Sequence, residues 1–256
     1  MTVVLGTSGW HYRDWRERFY PSEIPQRAWL EYYASRFATV ESNNAFYRLP
    51  EGERFASWAR STPDDFVMAV KMSRYLTHNK RLRDPQEPVA RFLDRVRHLG
   101  AKLGPVLLQL PPTLRADNAL LDVTLRQFPP SVRVAVEFRH DSWWTDETRS
   151  LLEHHASALC LADRDSRPVT PLWRTAGWTY LRLHAGVASP APCYGRAAIA
   201  SWTDRLGGDF DDVDAYVYFN NDTGGCALRD ARWFAQEAIK RDLDVTRTPA
   251  RSIRPG

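Results

Sequence analysis

Only three cysteines occur in the 256 residues, Cys160, Cys193 and Cys226, far apart and with no CxxC pair. That pattern suggests neither a zinc site nor a disulfide framework. No HxH or HExxH spacing is present, no GxSxG marks a serine-hydrolase elbow, and no GxGxxG follows a strand. No run approaches the roughly 18 apolar residues of a membrane span. The opening MTVVLGTSGW has no basic segment leading into a long apolar stretch, so no signal peptide and a cytoplasmic location are expected. No linker and no internal sequence repeat interrupt the chain.

The composition is that of an ordinary globular protein, 43% hydrophobic and 26% charged. Ten tryptophans are many for this length, and loop aromatics often line binding clefts. A net charge of +4 with pI near 9.0 is compatible with an anionic substrate, yet far from a nucleic-acid-coating composition.

Eight short apolar segments alternate with helical patterns. VAVEF is the clearest strand: Val134, Val136 and Phe138 share one face, and Ala135, Glu137 and Arg139 share the other. A Glu/Arg pair facing inward is costly unless it lies in a polar cavity. TVESNNAFYRLP reads as strand two, FVMAVKMS as three, GPVLLQLPP as four, SALCLADRD as six, TYLRLHAG as seven and AYVYFNND as eight. RPVTPLWRTAG, between strands six and seven, predicts an irregular connection or no helix at all. The pattern predicts an α/β fold, a (β/α)8 TIM-type barrel, as one domain over residues 1–245. A doubly wound open sheet is the alternative. Residues 246–256 read as a basic, disordered tail.

Active sites of such barrels lie at the C-terminal ends of the strands. Polar residues there are Thr7, Glu41, Lys71, Gln109, Glu137 with Arg139, Asp163, Arg182 with His184, and Asn220. They predict a polar cleft for a small anionic, phosphate-bearing substrate. Glu137 is the expected general base and His184 the acid, with Glu41 and Asp163 as further catalytic carboxylates. Lys71, Arg74, Arg139 and Arg182 would hold the anion, since guanidinium forks suit anionic oxygens. Asn43, Gln109, His140, Asn220, Asn221 and Trp10 complete the expected substrate contacts. NNDTGG after strand eight is either a backbone phosphate cradle or a plain turn. Acids and histidines supply ligand types for a divalent metal, but the interspersed cations oppose one, so no metal or cofactor is expected. Buried Cys160 reads as a structural thiol. Hydrolysis is the expected chemistry; non-catalytic binding of a metabolite or nucleic acid, or a sugar-phosphate isomerase or lyase, are the alternatives.

The stretches GTSGW, TVESNNAFYRLP, FVMAVKMSRYLTH, GPVLLQLPP, AVEFRHDSW, LCLAD, YLRLHAG and VYFNND, in this order, resemble the YecE-like family, DUF72. The resemblance implies a TIM-type barrel of unestablished biochemical function. By analogy with metal-dependent barrels acting on DNA it suggests phosphodiester chemistry. The chain departs from the family pattern at Ala185, which precedes Gly186, at Asn44, and in the Pro-rich loop SPAPCYG.

Overall fold

The computed structural model describes residues 1–250. It is an α/β fold whose mostly parallel strands form one curled sheet. In chain order the strands are β1 (Thr2–Thr7), β2 (Thr39–Ser42), β3 (Val67–Lys71), β4 (Leu103–Gln109), β5 (Val134–Glu137), β6 (Ala158–Arg164), β7 (Arg167–Pro168), β8 (Trp178–Leu183), β9 (Asp214–Phe219) and β10 (Asp244–Val245). Strands β2, β3, β4, β5, β6, β8, β9 and β1 pair in that order, all parallel, and β7 adds a short antiparallel return to β6. The helices are α1 (Trp29–Ala34), α2 (Asn44–Tyr47), α3 (Gly52–Arg60), α4 (Gln86–Val96), α5 (Asn118–Leu125), α6 (Asp146–His154), α7 (Arg196–Asp209) and α8 (Cys226–Ile239). No helix lies between β6 and β8, as the Pro-containing connection predicts. Strand two is shorter than its sequence pattern suggests: it stops at Ser42, and Asn44–Tyr47 turn into α2.

Alternation along each strand separates two cores. Val40, Val70, Val106, Val136, Leu161 and Val217 belong to the layer between sheet and helices. A second apolar cluster fills the inside of the curl. There the small Ala69, Ala135 and Ala158 of β3, β5 and β6 leave room for Tyr180 and Tyr218 of β8 and β9. The two rings lie 5.2 Å apart, and the Tyr218 hydroxyl crosses to Thr39 Oγ1 on β2 at 2.8 Å. Matching large residues to small ones fills a narrow interior without voids.

The hydrogen-bonded ladders do not run continuously round the curl. β1 and β2 meet only at one parallel bridge, Ser8 to Glu41. Below that bridge the segment after α8 enters the gap. β10 pairs with Thr2 and Val3 of β1, Thr246 N–H donates to Val3 O at 3.0 Å, and Ala38 N–H donates to Arg247 O at 3.2 Å. The Arg247 guanidinium bonds Asp65 at 2.8 Å and 3.2 Å. The expected disordered tail therefore gives way, over residues 246–250, to a packed wedge whose backbone groups find partners on both edges. Residues 251–256, on which that expectation also falls, lie outside the described residues.

A second correction concerns the cysteines. Cys193, in the loop after β8, and Cys226, at the start of α8, form a disulfide across a sequence separation of 33. Spacing alone does not reveal it, because the loop folds back onto a helix that begins only after β9. Cys160 is free and buried inside the curl.

Candidate functional site

Glu137 ends β5, in register with Gln109 at the end of β4. Both point inward and are buried. Gln109 Nε2 donates to Glu137 Oε2 at 2.8 Å, and one Arg182 nitrogen donates to the same oxygen at 2.6 Å. The other oxygen accepts from Arg139 Nε at 3.0 Å and from His184 Nε2 at 3.1 Å. A second Arg139 nitrogen lies 2.9 Å from it. Arg182 spans the interior, and its remaining terminal nitrogen donates to Glu41 Oε1 at 2.9 Å. The Tyr180 hydroxyl donates to Glu41 Oε2 at 2.7 Å. Charges buried this deeply persist only when fully paired, and each carboxylate here has its partners.

The electrostatics follow from this pairing. Burial alone would raise the Glu137 pKa, but Arg182, then His184 and Arg139, hold it well below the usual carboxylate range. Glu41 is held low in the same way against its burial, by Arg182 and the Tyr180 hydroxyl. Asn220 Nδ2 lies 3.1 Å from His184 Nδ1 and donates to it, so the ring carries its proton on Nε2 and gives it to Glu137. Burial lowers the His184 pKa, which favours this neutral form.

Above the network lies a cavity of about 540 Å³. Trp10, Asn43, Lys71, Gln109, Arg139, Arg182 and Asn220 all line it, so the structure brings these expected residues together. Glu41 and Glu137 form its charged floor. On the other side of Arg139 a smaller hollow of about 300 Å³ is lined by Glu137, His184 and Trp144. Lys71 enters the larger cavity with its ammonium 3.8 Å from the centre of the Phe46 ring. Among the described residues it has no ion pair within 4.0 Å, because Arg182 already occupies both acids. Burial, then the Arg182 charge, lowers its pKa to about 8. Trp10 Nε1, Asn43 Oδ1 and Arg182 Nε, on residues lining this cavity, are buried without a hydrogen-bond partner among the described residues. Unmade bonds of this kind mark places that a ligand or solvent satisfies.

Five residues expected at the cleft lie elsewhere. Asp163 points to the helix side of β6, where Tyr194 and Trp202 donate to its oxygens at 2.8 Å and 2.7 Å. Burial raises its pKa despite these bonds. Asn221 faces away from the cavity and donates to Asp230 at 2.8 Å and to Pro192 O at 3.1 Å. His140 accepts from Ser142 N–H at 3.1 Å and caps the turn after β5. Arg74 is exposed on the rim. Thr7 turns outward to the Tyr33 hydroxyl at 2.9 Å. Sequence reasoning missed Phe46 as a lining residue and Tyr180 as the Glu41 partner. The inward parity of Tyr180 with Arg182 was the available signal; Phe46 comes from α2, whose direction the expected strand pattern did not give. No group of three or more His, Cys, Asp or Glu side chains suited to a metal occurs among the described residues.

The family model described as "Protein of unknown function DUF72" matches residues 4–253. The chain belongs to the DUF72 family. The UPF0759 protein YecE of Escherichia coli K12 is 31% identical to this DUF72 chain over 172 residues, 65% of the chain and 60% of YecE. The match thus spans less than two thirds of that relative's length. A DUF72 protein of Thermotoga maritima has a similar crystal structure, with TM-score 0.80 and 28% identity over 92% of this chain and 98% of its own. A DUF72 protein of Enterococcus faecalis V583 shares the fold at TM-score 0.79 and 20% identity, covering 99% of this chain and 98% of its own. No helix among the described residues is long and apolar enough to cross a membrane.

Proposed function

We propose that this DUF72 chain is an enzyme that binds a small anionic, phosphate-bearing substrate at the C-terminal strand ends of a (β/α)8-type barrel. One observation carries the reading. Three cations, Lys71, Arg139 and Arg182, meet two carboxylates, and Arg182 alone bridges both acids. The Lys71 charge is left for a ligand, and the exposed edge of Arg139 borders the same cavity. The reaction class that fits is proton transfer on the bound anion, as in a sugar-phosphate isomerase or lyase. Glu137 and His184 spend their atoms on each other and on fixed neighbours, so the unpaired Lys71 amine, its pKa lowered to about 8, is the group free to move that proton.

Inorganic phosphate tests the anion site without knowledge of the substrate. A ligand that binds only the folded chain stabilises it by about 2.7 kcal/mol at a hundred times its Kd. Phosphate should raise the melting temperature in a saturable way, and Lys71→Met should abolish the rise. A shift no larger than that in sodium chloride of matched ionic strength refutes the reading.

A further inference from the structure

The chain contains four lysines against thirty-one arginines. Three of the four amines have partners. Lys80 pairs with Asp84 at 3.1 Å, Lys240 with Glu237 at 2.8 Å, and Lys102 donates to Ala59 O and Thr62 O at 2.6 Å each. Lys71 is the one without an ion pair or a hydrogen bond among the described residues, and it is the one that faces a cavity. At a site where a fixed positive charge were the whole requirement, arginine would serve equally; a primary amine adds nucleophilicity, which guanidinium lacks.

We propose that Lys71 is a nucleophile that forms an imine with an anionic aldehyde or ketone held in this cleft. The proposal rests on the anion-site reading and names the carbonyl group as the substrate feature that the amine recognises. In the step, the lone pair of neutral Nζ attacks the carbonyl carbon and the C=O π pair moves to oxygen. A proton passes from nitrogen to that oxygen to give a carbinolamine. The hydroxyl then takes up a proton and leaves as water while C=N forms, so a C–O bond is exchanged for a second C–N bond and no redox partner is required.

The surroundings suit each part. Burial and the Arg182 charge favour the neutral amine. A pKa near 8 leaves about 10% of Lys71 neutral at pH 7, against about 0.03% for a lysine with the ordinary pKa of 10.5, roughly a 300-fold advantage. His78 lines the same cavity, its ring edge-on to Phe46 with 5.0 Å between centroids. The Thr77 hydroxyl donates to Ser73 O at 3.3 Å, so His78 Nδ1–H donates to Thr77 Oγ1 at 2.8 Å and Nε2 keeps its lone pair. Burial, then Lys71 itself, lowers the His78 pKa, so the ring is neutral and able to accept. The Arg139 edge is placed to hold the anionic end.

Pyridoxal 5′-phosphate, an anionic aldehyde, is the probe, with sodium cyanoborohydride to reduce any imine and peptide mapping by mass spectrometry to locate it. The expected result is one adduct on Lys71 while Lys80, Lys102 and Lys240 remain unlabelled, with a rate that rises about tenfold per pH unit until it levels near the amine pKa. Inorganic phosphate should slow the labelling. Lys71→Arg, which keeps the charge, should lose the adduct and keep the phosphate-dependent rise in melting temperature. If that variant does not fold, phosphate protection of wild-type Lys71 serves in its place. Adducts spread over the other lysines, or none on Lys71, overturn the proposal. A phosphate-dependent rise without a Lys71 adduct overturns the imine and leaves the anion site standing; absence of both overturns the two together.

Discussion

Replacing Glu137 with glutamine separates a scaffold carboxylate from a catalytic base. The substitution keeps the shape and turns one oxygen into an NH2. Oε2 accepts from Gln109 and Arg182 at 2.8 Å and 2.6 Å, and Oε1 from Arg139 and His184 at 3.0 Å and 3.1 Å. In either orientation the new amide therefore sets its N–H groups against at least two donors. Gln109 can relieve its clash by turning its own amide, and His184 by changing tautomer, but neither arginine can become an acceptor. The arrangement that suffers least turns the NH2 away from Arg182, which is fully buried, and toward Arg139, which is partly exposed and can swing to solvent. Arg182 then keeps Glu41 as its sole carboxylate. Removing one partner of a buried ion pair costs about 3–5 kcal/mol. For a domain of this size that corresponds to a fall in melting temperature of roughly 6–20 °C. The pH dependence carries the same sign: a carboxyl held low contributes stability that is present above about pH 4.5 and lost as pH falls through its folded pKa, so the variant should lose part of the wild-type acid transition. Thermal unfolding followed by circular dichroism at pH 7 and pH 4 reads both. A fall of less than about 3 °C at pH 7 would refute the claim that Glu137 is the keystone of a paired network, and would return it to candidacy as a strained catalytic base.

Two further outcomes follow from neighbouring features. Burial, opposed by the Trp15 bond at 2.7 Å and aided by Asp14, raises the Asp222 carboxyl to about 8, so the folded chain binds its proton where the unfolded chain does not. The stability from that proton is complete below about pH 4 and is lost as pH rises to about 8, by at most about 1.4 kcal/mol per unit. Asp222→Asn should therefore flatten the stability profile between pH 4 and 8 relative to wild type in urea titrations, and an unchanged slope would count against the buried acid. A methyl group on Gly6 would stand 2.4 Å from Thr39 O, a backbone atom, where β1 approaches β2 without a ladder. Gly6→Ala should destabilise by about 1–3 kcal/mol or more, as overpacking does, and a melting temperature equal to wild type would show that the two strands can separate freely.

Most of the site was legible because strand parity is local. Glu41, Lys71, Gln109, Glu137 and Arg182 all sit at strand ends opposite an outward apolar set, and all reach the cavity or its floor. Parity failed at β6, where both faces are apolar: with Cys160 inside, Asp163 three residues on must face outward. It also distinguishes adjacent residues, since Asn220 and Asn221 cannot both point inward, and Asn220 does. Contacts between distant segments left no local trace. Nothing near Cys193 announces Cys226, and a basic, Pro-containing stretch gave no hint that Arg247 would fill a gap beside Ala38.

That gap has a consequence for how the molecule comes into being. β1 is synthesised some 240 residues before β10, yet the two lie side by side. Until residues 244–247 have been synthesised, the lower edge of β1 has no strand to bond, however completely β2 to β6 have assembled. The Ser8–Glu41 bridge sits at the top of the same seam, and Glu41 is one of the two acids that hold Arg182 in place. The floor of the cleft and the β10 segment thus border one seam, the first at its upper end and the second at its lower.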